Sequence, residues 1–141
     1  MLRRIVATTA LTTMFFLHGQ SVTAASARPL VYFCQLVEQG RSGWVPDFLA
    51  VSHTPNGRIV VQDPIIQYYQ NAPIEARIVV DNTVRRTYAW SLRGTRDDTG
   101  QRATSLDYRL TIQKAGGAAS LSVIPRGYDN SMQGRGNCIA Q

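Results

Sequence analysis

Histidine, lysine and cysteine are scarce in these 141 residues, and each scarcity excludes a kind of chemistry. The histidines are His18 and His53 and the cysteines are Cys34 and Cys138; with the cysteines paired to each other, too few soft ligands remain for a zinc site. No metal and no cofactor is expected. Lys114 is the only lysine, and the arginines are scattered among carboxylates instead of forming a run or stripe. A nucleic-acid partner is therefore not expected. There is no G-x-S-x-G, no H-E-x-x-H, no P-loop and no dinucleotide glycine pattern. Repeats, low-complexity tracts and linkers are absent too. The longest apolar run, "IVATTALTTMFFL", stops at Leu17, short of the ~20 residues that span a membrane.

That run follows the basic start "MLRR" and precedes the small-residue stretch "SVTAASA". Basic, apolar and small residues in that order predict a secretory signal over residues 1–25, with cleavage between 24 and 27. "VYFC" lacks the small residues of a lipid-attachment site, so a soluble exported product is expected, periplasmic or secreted. Residues 28–141 suffice for one domain and one core. Losing Arg3 and Arg4 leaves 13 basic residues against 9 acidic ones, a formal charge of +4. In an oxidising compartment two cysteines read as one disulfide. Cys34 lies near the start of the mature chain and Cys138 near its end, so the first and last elements must touch.

Alternation of period two marks half-buried strands. "VRRTYAWSLR" places Val84, Tyr88, Trp90 and Leu92 on one face, with Arg85, Thr87, Ser91 and Arg93 on the other. "SLDYRLTIQK", "AASLSVIP" and "IEARIVV" repeat the pattern. "LVYFCQLVE", "VPDFLAVSH", "RIVVQ" and a short strand around Asn137 to Ala140 bring the count to about eight, with Pro46 suited to an edge or a bulge. "HTPNGR", "DNT" and "KAGGA" are turn signals. Side-chain parity fits these turns. If the inward set of Ile74 to Val80 and of Val84 to Leu92 is even-numbered, the loop between them must be odd, and Asp81-Asn82-Thr83 has three residues. From Ile112 to Leu121 the inward set switches parity, and residues 115–118 supply the even loop required.

One passage departs from this rhythm. In "DPIIQYYQNAP", Asp63-Pro64 pairs an N-cap oxygen with a residue whose fixed φ suits a first helical turn, and Pro73 forbids continuation past Ala72. A helix would put Ile65, Ile66 and Tyr69 on one side; a strand competes, since Ile and Tyr favour β structure. The expected fold is all-β: a small antiparallel up-and-down meander of about eight strands closing as a barrel, with one short helix after the third strand. A β-sandwich is the alternative, and end-to-end cysteines favour the closed barrel, in which the first and last strands are neighbours.

In such a meander successive loops alternate between two ends. "QGRSG", "DPIIQYYQNAP", "GTRDDTGQRAT" and "RGYDNSMQGRG" share one end, three of them long, and carry Tyr68, Tyr69, Arg96, Arg102, Tyr128 and Arg135. Long loops on a rigid scaffold are where binding usually resides, with Ile65, Ile66 and Tyr69 laid across the core as a lid. The remaining candidates have plainer readings. His53 reads as a solvent-facing strand residue more readily than as a general base, and Asp97-Asp98 as turn residues. Arg77, Arg85, Arg93 and Arg109, sharing the outer face with Glu75, Asp81 and Asp107, read as a solvated surface with cross-strand ion pairs. Trp44 fits either a core position or an exposed anchor.

A small exported barrel with end-to-end cysteines is similar in architecture to the periplasmic inhibitors of c-type lysozyme. Their signature sets a Ser-Gly pair before a tyrosine; here "SLDY", Ser105 to Tyr108, lacks the glycine and falls inside a strand, so no inhibitor residue carries over. The expected function is binding, of a small apolar or amphipathic ligand or of an envelope macromolecule at the long-loop end. Inhibition of an envelope hydrolase such as lysozyme is the alternative, and an enzyme is not expected.

Overall fold

The computed structural model describes residues 29–96, 100 and 102–141. The leader with its cleavage sites, Asp97 and Asp98 lie outside the described residues. Eight strands run in chain order: β1 (Val31–Glu38), β2 (Phe48–His53), β3 (Ile59–Gln62), β4 (Ile74–Asp81), β5 (Arg85–Arg96), β6 (Arg102–Gln113), β7 (Ala118–Pro125) and β8 (Met132–Ala140). Among the described residues the one helix, α1 (Pro64–Gln70), sits between β3 and β4. Each strand pairs antiparallel with its neighbour, and β8 pairs back onto β1, closing a barrel and settling the choice against a sandwich.

The seam carries the disulfide. Cys34 and Cys138 are register partners across β1 and β8, bonded with Cα atoms 4.0 Å apart and a sequence separation of 104. Both point inward among Leu36, Leu49, Val51, Val61, Leu106, Leu110, Leu121 and Val123, all buried. Three aromatic side chains fill the centre: Tyr88, Trp90 and Tyr108 are buried, and the rings of the register partners Trp90 and Tyr108 stack with centroids 5.3 Å apart.

Four expectations shift. The last strand begins at Met132, well before Asn137, because two of its inward positions are glycines and show no alternation. A Cβ on Gly136 would collide with the Gln35 carbonyl oxygen, and one on Gly134 would come within 2.5 Å of the Val45 side chain, so β1 and Val45 occupy the space those side chains would take. Second, β2 starts at Phe48; buried Val45 and Pro46 belong to the connector before it, where the missing proline N–H breaks no ladder. Third, the β4–β5 register shifts between Ile78 and Val80, a bulge that places Val80 opposite outward Thr87. Val84 therefore lies in the turn, residues 82–84, and is exposed instead of inward. Fourth, β5 and β6 extend through Arg96 and Arg102, which face each other across the ladder, leaving a connector of residues 97–101. The β6–β7 turn keeps four residues, moved by one to 114–117.

Closing a loop of this length removes about 4–5 kcal/mol of unfolded-state entropy on a chain-entropy treatment. The Cys34→Ala/Cys138→Ala protein should lose about that much stability in urea unfolding, and a loss indistinguishable from zero would show that strand pairing alone holds the seam.

Candidate functional site

Because the strands follow chain order around the barrel, alternate connectors share an end. Residues 39–47, 63–73 and 126–131 and the tip of the β5–β6 ladder at Arg96 and Arg102 gather at one end; residues 54–58, 82–84 and 114–117 lie with the strand termini at Val31 and Ala140 at the other. The first connector is longer than "QGRSG" suggested. Glu38 organises it, its carboxylate accepting from the Ser42 N–H at 3.0 Å, the Ser42 hydroxyl and the Gly43 N–H at 3.1 Å.

Helix α1 closes the long-connector end. Asp63 caps it by accepting from the Ile66 N–H at 2.8 Å, Pro64 takes the first helical position, and Asn71 ends it in the left-handed region at φ 53°. Ile66 is 1% exposed, while Ile65 and Tyr69 pack on the core, so the lid expected from these three residues is present. Trp44 is half-buried beside it: its ring lies 5.9 Å from that of Tyr69, and the Tyr108 hydroxyl donates to its carbonyl at 3.1 Å. The Tyr69 hydroxyl donates to the Arg96 carbonyl at 2.7 Å and the Gln70 side chain to the Arg93 carbonyl at 3.1 Å, clamping α1 onto β5.

Tyr69 is thus a structural clamp. Tyr68, 82% exposed, is the free aromatic of α1, its ring edge-on to Tyr69 at 5.0 Å. Arg96 and Arg102 sit exposed and opposite each other at the tip of the β5–β6 ladder. Tyr128 is exposed in the last connector, and among the described residues no ring contact or side-chain hydrogen bond joins it to the others. Arg135 was expected in that connector; it lies within β8, opposite Val37 and Ser120, pointing outward.

One concavity is of a kind that the alternation did not signal. On the outer wall of β8, β1, β2 and β3, under the start of α1, a groove of about 600 Å³ is lined by Phe33, Phe48, Ala50, Pro64 and Ile139 together with amide side chains. Phe33 faces Ile139 on one side and Ala50 on the other, and Gln35 faces Phe48 and Asn137. Phe33 is 46% exposed, Phe48 59% and Ile139 62%. A signal for them was available in the bridge itself. Once Cys34 and Cys138 are both inward, period two puts Phe33, Val37 and Ile139 outside.

No family model, curated protein or solved structure matches the chain. Geometry alone therefore carries the functional reading.

Two surface expectations need correction. His53 is half-buried and turned inward, not on the outer face. It continues the inward set Leu49, Val51, and its Nε2 lies 2.7 Å from the Tyr88 hydroxyl, with the rings edge-on. Burial, and next the nearby Arg86 charge, hold its pKa below the ordinary histidine value against the opposing pull of Asp81. Burial likewise pushes the Tyr88 hydroxyl up to about 12. The outer arginines Arg77, Arg85, Arg93 and Arg109 make no ion pair among the described residues. The pairs fall on Arg58–Glu75 at 2.6 Å, Arg126–Asp107 at 3.1 Å, and Asp81 with Arg86 and Lys114. Arg86 is inward by parity with Tyr88, and it draws Asp81 to the barrel mouth, off the outer face.

Asp63 at the head of the groove combines a cap with a buried charge: Oδ1 accepts from Ile66, while Oδ2 has no partner. Burial raises its pKa above the usual carboxylate range, partly offset by the N–H groups of Ile66 and Ile65. A raised folded pKa means that this group's contribution is fully present below about pH 4, the unfolded value, and is lost as pH rises through the folded one. Asp63→Asn keeps the capping oxygen without the charge, so it should lose less stability than the parent between pH 4 and 7 in urea titrations. Asp63→Ala should lose about 1 kcal/mol at either pH through the missing cap.

Proposed function

We propose that the protein is an exported binding protein, not an enzyme, and that its outer groove takes an uncharged, apolar peptide segment of a partner protein in the cell envelope. The observation that supports this is an exposed apolar groove on the outside of a barrel whose inside is filled by Tyr88, Trp90 and Tyr108. With the interior packed and the α1 end covered by Ile65, Ile66 and Tyr69, the outer wall is the better candidate for a macromolecular partner than that covered mouth.

The lining points to a peptide. Between the apolar side chains stand Gln35, Gln62, Gln67 and Asn137, each carrying both a donor and an acceptor, which is the complement of a peptide backbone. The groove lining has no basic residue, and its one carboxylate, Asp63, is buried and turned to the helix. A neutral occupant suits it better than an ionic one. Burying exposed phenylalanine and isoleucine surface supplies the driving force, at ~25 cal/mol per Å² before the costs of association. Tyr68, beside Gln67 on α1, supplies an exposed anchor of the kind enriched at interfaces. Export rests on the leader and on the disulfide, which persists in oxidising compartments.

A packed barrel with an exposed tyrosine on its lid also suits the narrower reading of the partner as an envelope hydrolase such as lysozyme, inhibited by occupation of its cleft. Among the described residues no helix is long and apolar enough to cross a membrane.

The test is panning of a displayed peptide library on the disulfide-bonded protein, with the Phe33→Ser/Phe48→Ser variant as counter-selection. Both positions are exposed, so the variant should melt within a few degrees of the parent. Enriched peptides should be neutral and apolar, bind the variant at least tenfold more weakly, and shift amide resonances of Gln35, Ala50 and Gln62. Enrichment of charged peptides, equal binding by the variant, or groove shifts produced instead by chito-oligosaccharides would each overturn the peptide reading.

A further inference from the structure

Among the described residues, no helix covers the end of the barrel opposite α1. Its connectors, residues 54–58, 82–84 and 114–117, are short turns, and between them and the chain termini lies a cavity of about 460 Å³. Leu30, Tyr32, Ile112 and Ala140 give it apolar walls, and Arg86 and Lys114 stand in it as cations.

How the cations are held matters more than their presence. Arg86 is the first inward residue of β5 and therefore enters the mouth instead of leaving it. Its Nε and Nη2 lie 3.0 and 2.9 Å from Asp81 Oδ2, while Lys114 Nζ lies 2.7 Å from Oδ1 of the same carboxylate. The Tyr88 hydroxyl lies 2.7 Å from His53 Nε2. One carboxylate thus fixes two cations, the guanidinium partly buried, so that among the described residues of the mouth these three side chains carry one net positive charge. His53, held neutral by its surroundings, adds none at neutral pH. An Arg held by its Nε edge and one amino group keeps N–H donors for a further acceptor, and partial burial strengthens that attraction over a free surface arginine.

We propose that this mouth is a binding site for a small amphipathic monocarboxylate, its carboxylate on Arg86 and Lys114 and its apolar part along Tyr32, Ile112 and Ala140. One net positive charge matches a monoanion, and the volume lies within the ~300–1,000 Å³ of small-ligand sites. The site lies inside the barrel mouth while the groove lies on the outer face of the same β1–β8 seam, and the proposal does not rest on the peptide reading.

Titration of the isotope-labelled, disulfide-bonded protein with straight-chain carboxylates from acetate to octanoate tests it, with inorganic phosphate and 1-hexanol as comparators. Saturable shifts are expected at Tyr32, Arg86 and Lys114, tightening at least tenfold from acetate to hexanoate and absent with hexanol. Lys114→Gln, on an exposed turn, should weaken hexanoate at least fivefold without changing the melting temperature. Arg86→Lys keeps the charge but not the fork, and should weaken it further while remaining folded by circular dichroism. No saturable shift with any carboxylate, unchanged affinity in Lys114→Gln, equal response to hexanol, or preference for phosphate would overturn the assignment.

Discussion

The pairing of β1 with β8 is the constraint on which the rest of the molecule depends. Seven of the eight strand pairings join chain neighbours through the connector between them; the eighth joins the first strand to the last, and without it the meander is an open sheet with two exposed edges. Its closure is sterically demanding. Leu36 and Gly136 face each other inside the barrel, and only a residue without Cβ lets β8 lie this close to the Gln35 carbonyl. The bridge at Cys34 and Cys138 fixes register as well as proximity. With both cysteines inward, a slip by one residue would turn Leu36 out and Phe33 in. The apolar outer groove is thus a direct consequence of the closure that makes the barrel.

The two mouths of the barrel solve the same problem in opposite ways. Every barrel end exposes the last layer of its core, and at the α1 end that layer is covered by Ile65, Ile66, Tyr69 and Trp44. At the other end the layer is polar: Arg86, Asp81, Lys114 and His53 take positions where apolar side chains would meet water. The two buried tyrosines follow this division. Tyr108 turns its hydroxyl to the Trp44 carbonyl under the lid, and Tyr88 turns its own to His53 at the open mouth, so both bury a ring while satisfying the oxygen. A covered end is stable and passive. An open end edged with held charges is available to a ligand.

Much of this fold was legible in the sequence, and the exceptions share a cause. Strands whose inward positions carry large apolar side chains and whose outward positions are polar, β5, β6 and β7, declare themselves by period two. Helix α1 declares itself by Asp63-Pro64 and Pro73, residues whose backbone chemistry is local. β8 hides because its inward Gly134 and Gly136 leave no apolar set to count, the space being filled from Val45 and from β1. The tip of the β5–β6 ladder hides because "GTRDDTGQRAT" has the composition of a turn, although pairing continues to Arg96 and Arg102. Val80 and Val84 were misplaced because a bulge at the end of β4 changes parity without any residue that announces it. The outer groove hides in β1, where "VYFCQLV" is apolar on both faces and alternation is silent.

That silence bears on the proposed binding at the outer wall. A barrel strand needs one apolar face, and β1 has two: Cys34 and Leu36 for the core, and Phe33 and Val37 for the outside. The second face gains nothing from folding and costs solubility, and exposed apolar patches of this kind mark interaction sites, which supports the proposed partner. It lies on the strands that the disulfide ties together. A groove on a stapled sheet loses little conformational freedom when occupied, whereas one built on the long connectors would have to be ordered by its ligand. The bond that closes the barrel therefore also preorganises its most apolar outer surface. This is why the wall beside Cys34 and Cys138 is a better place for a partner than the aromatic-filled interior.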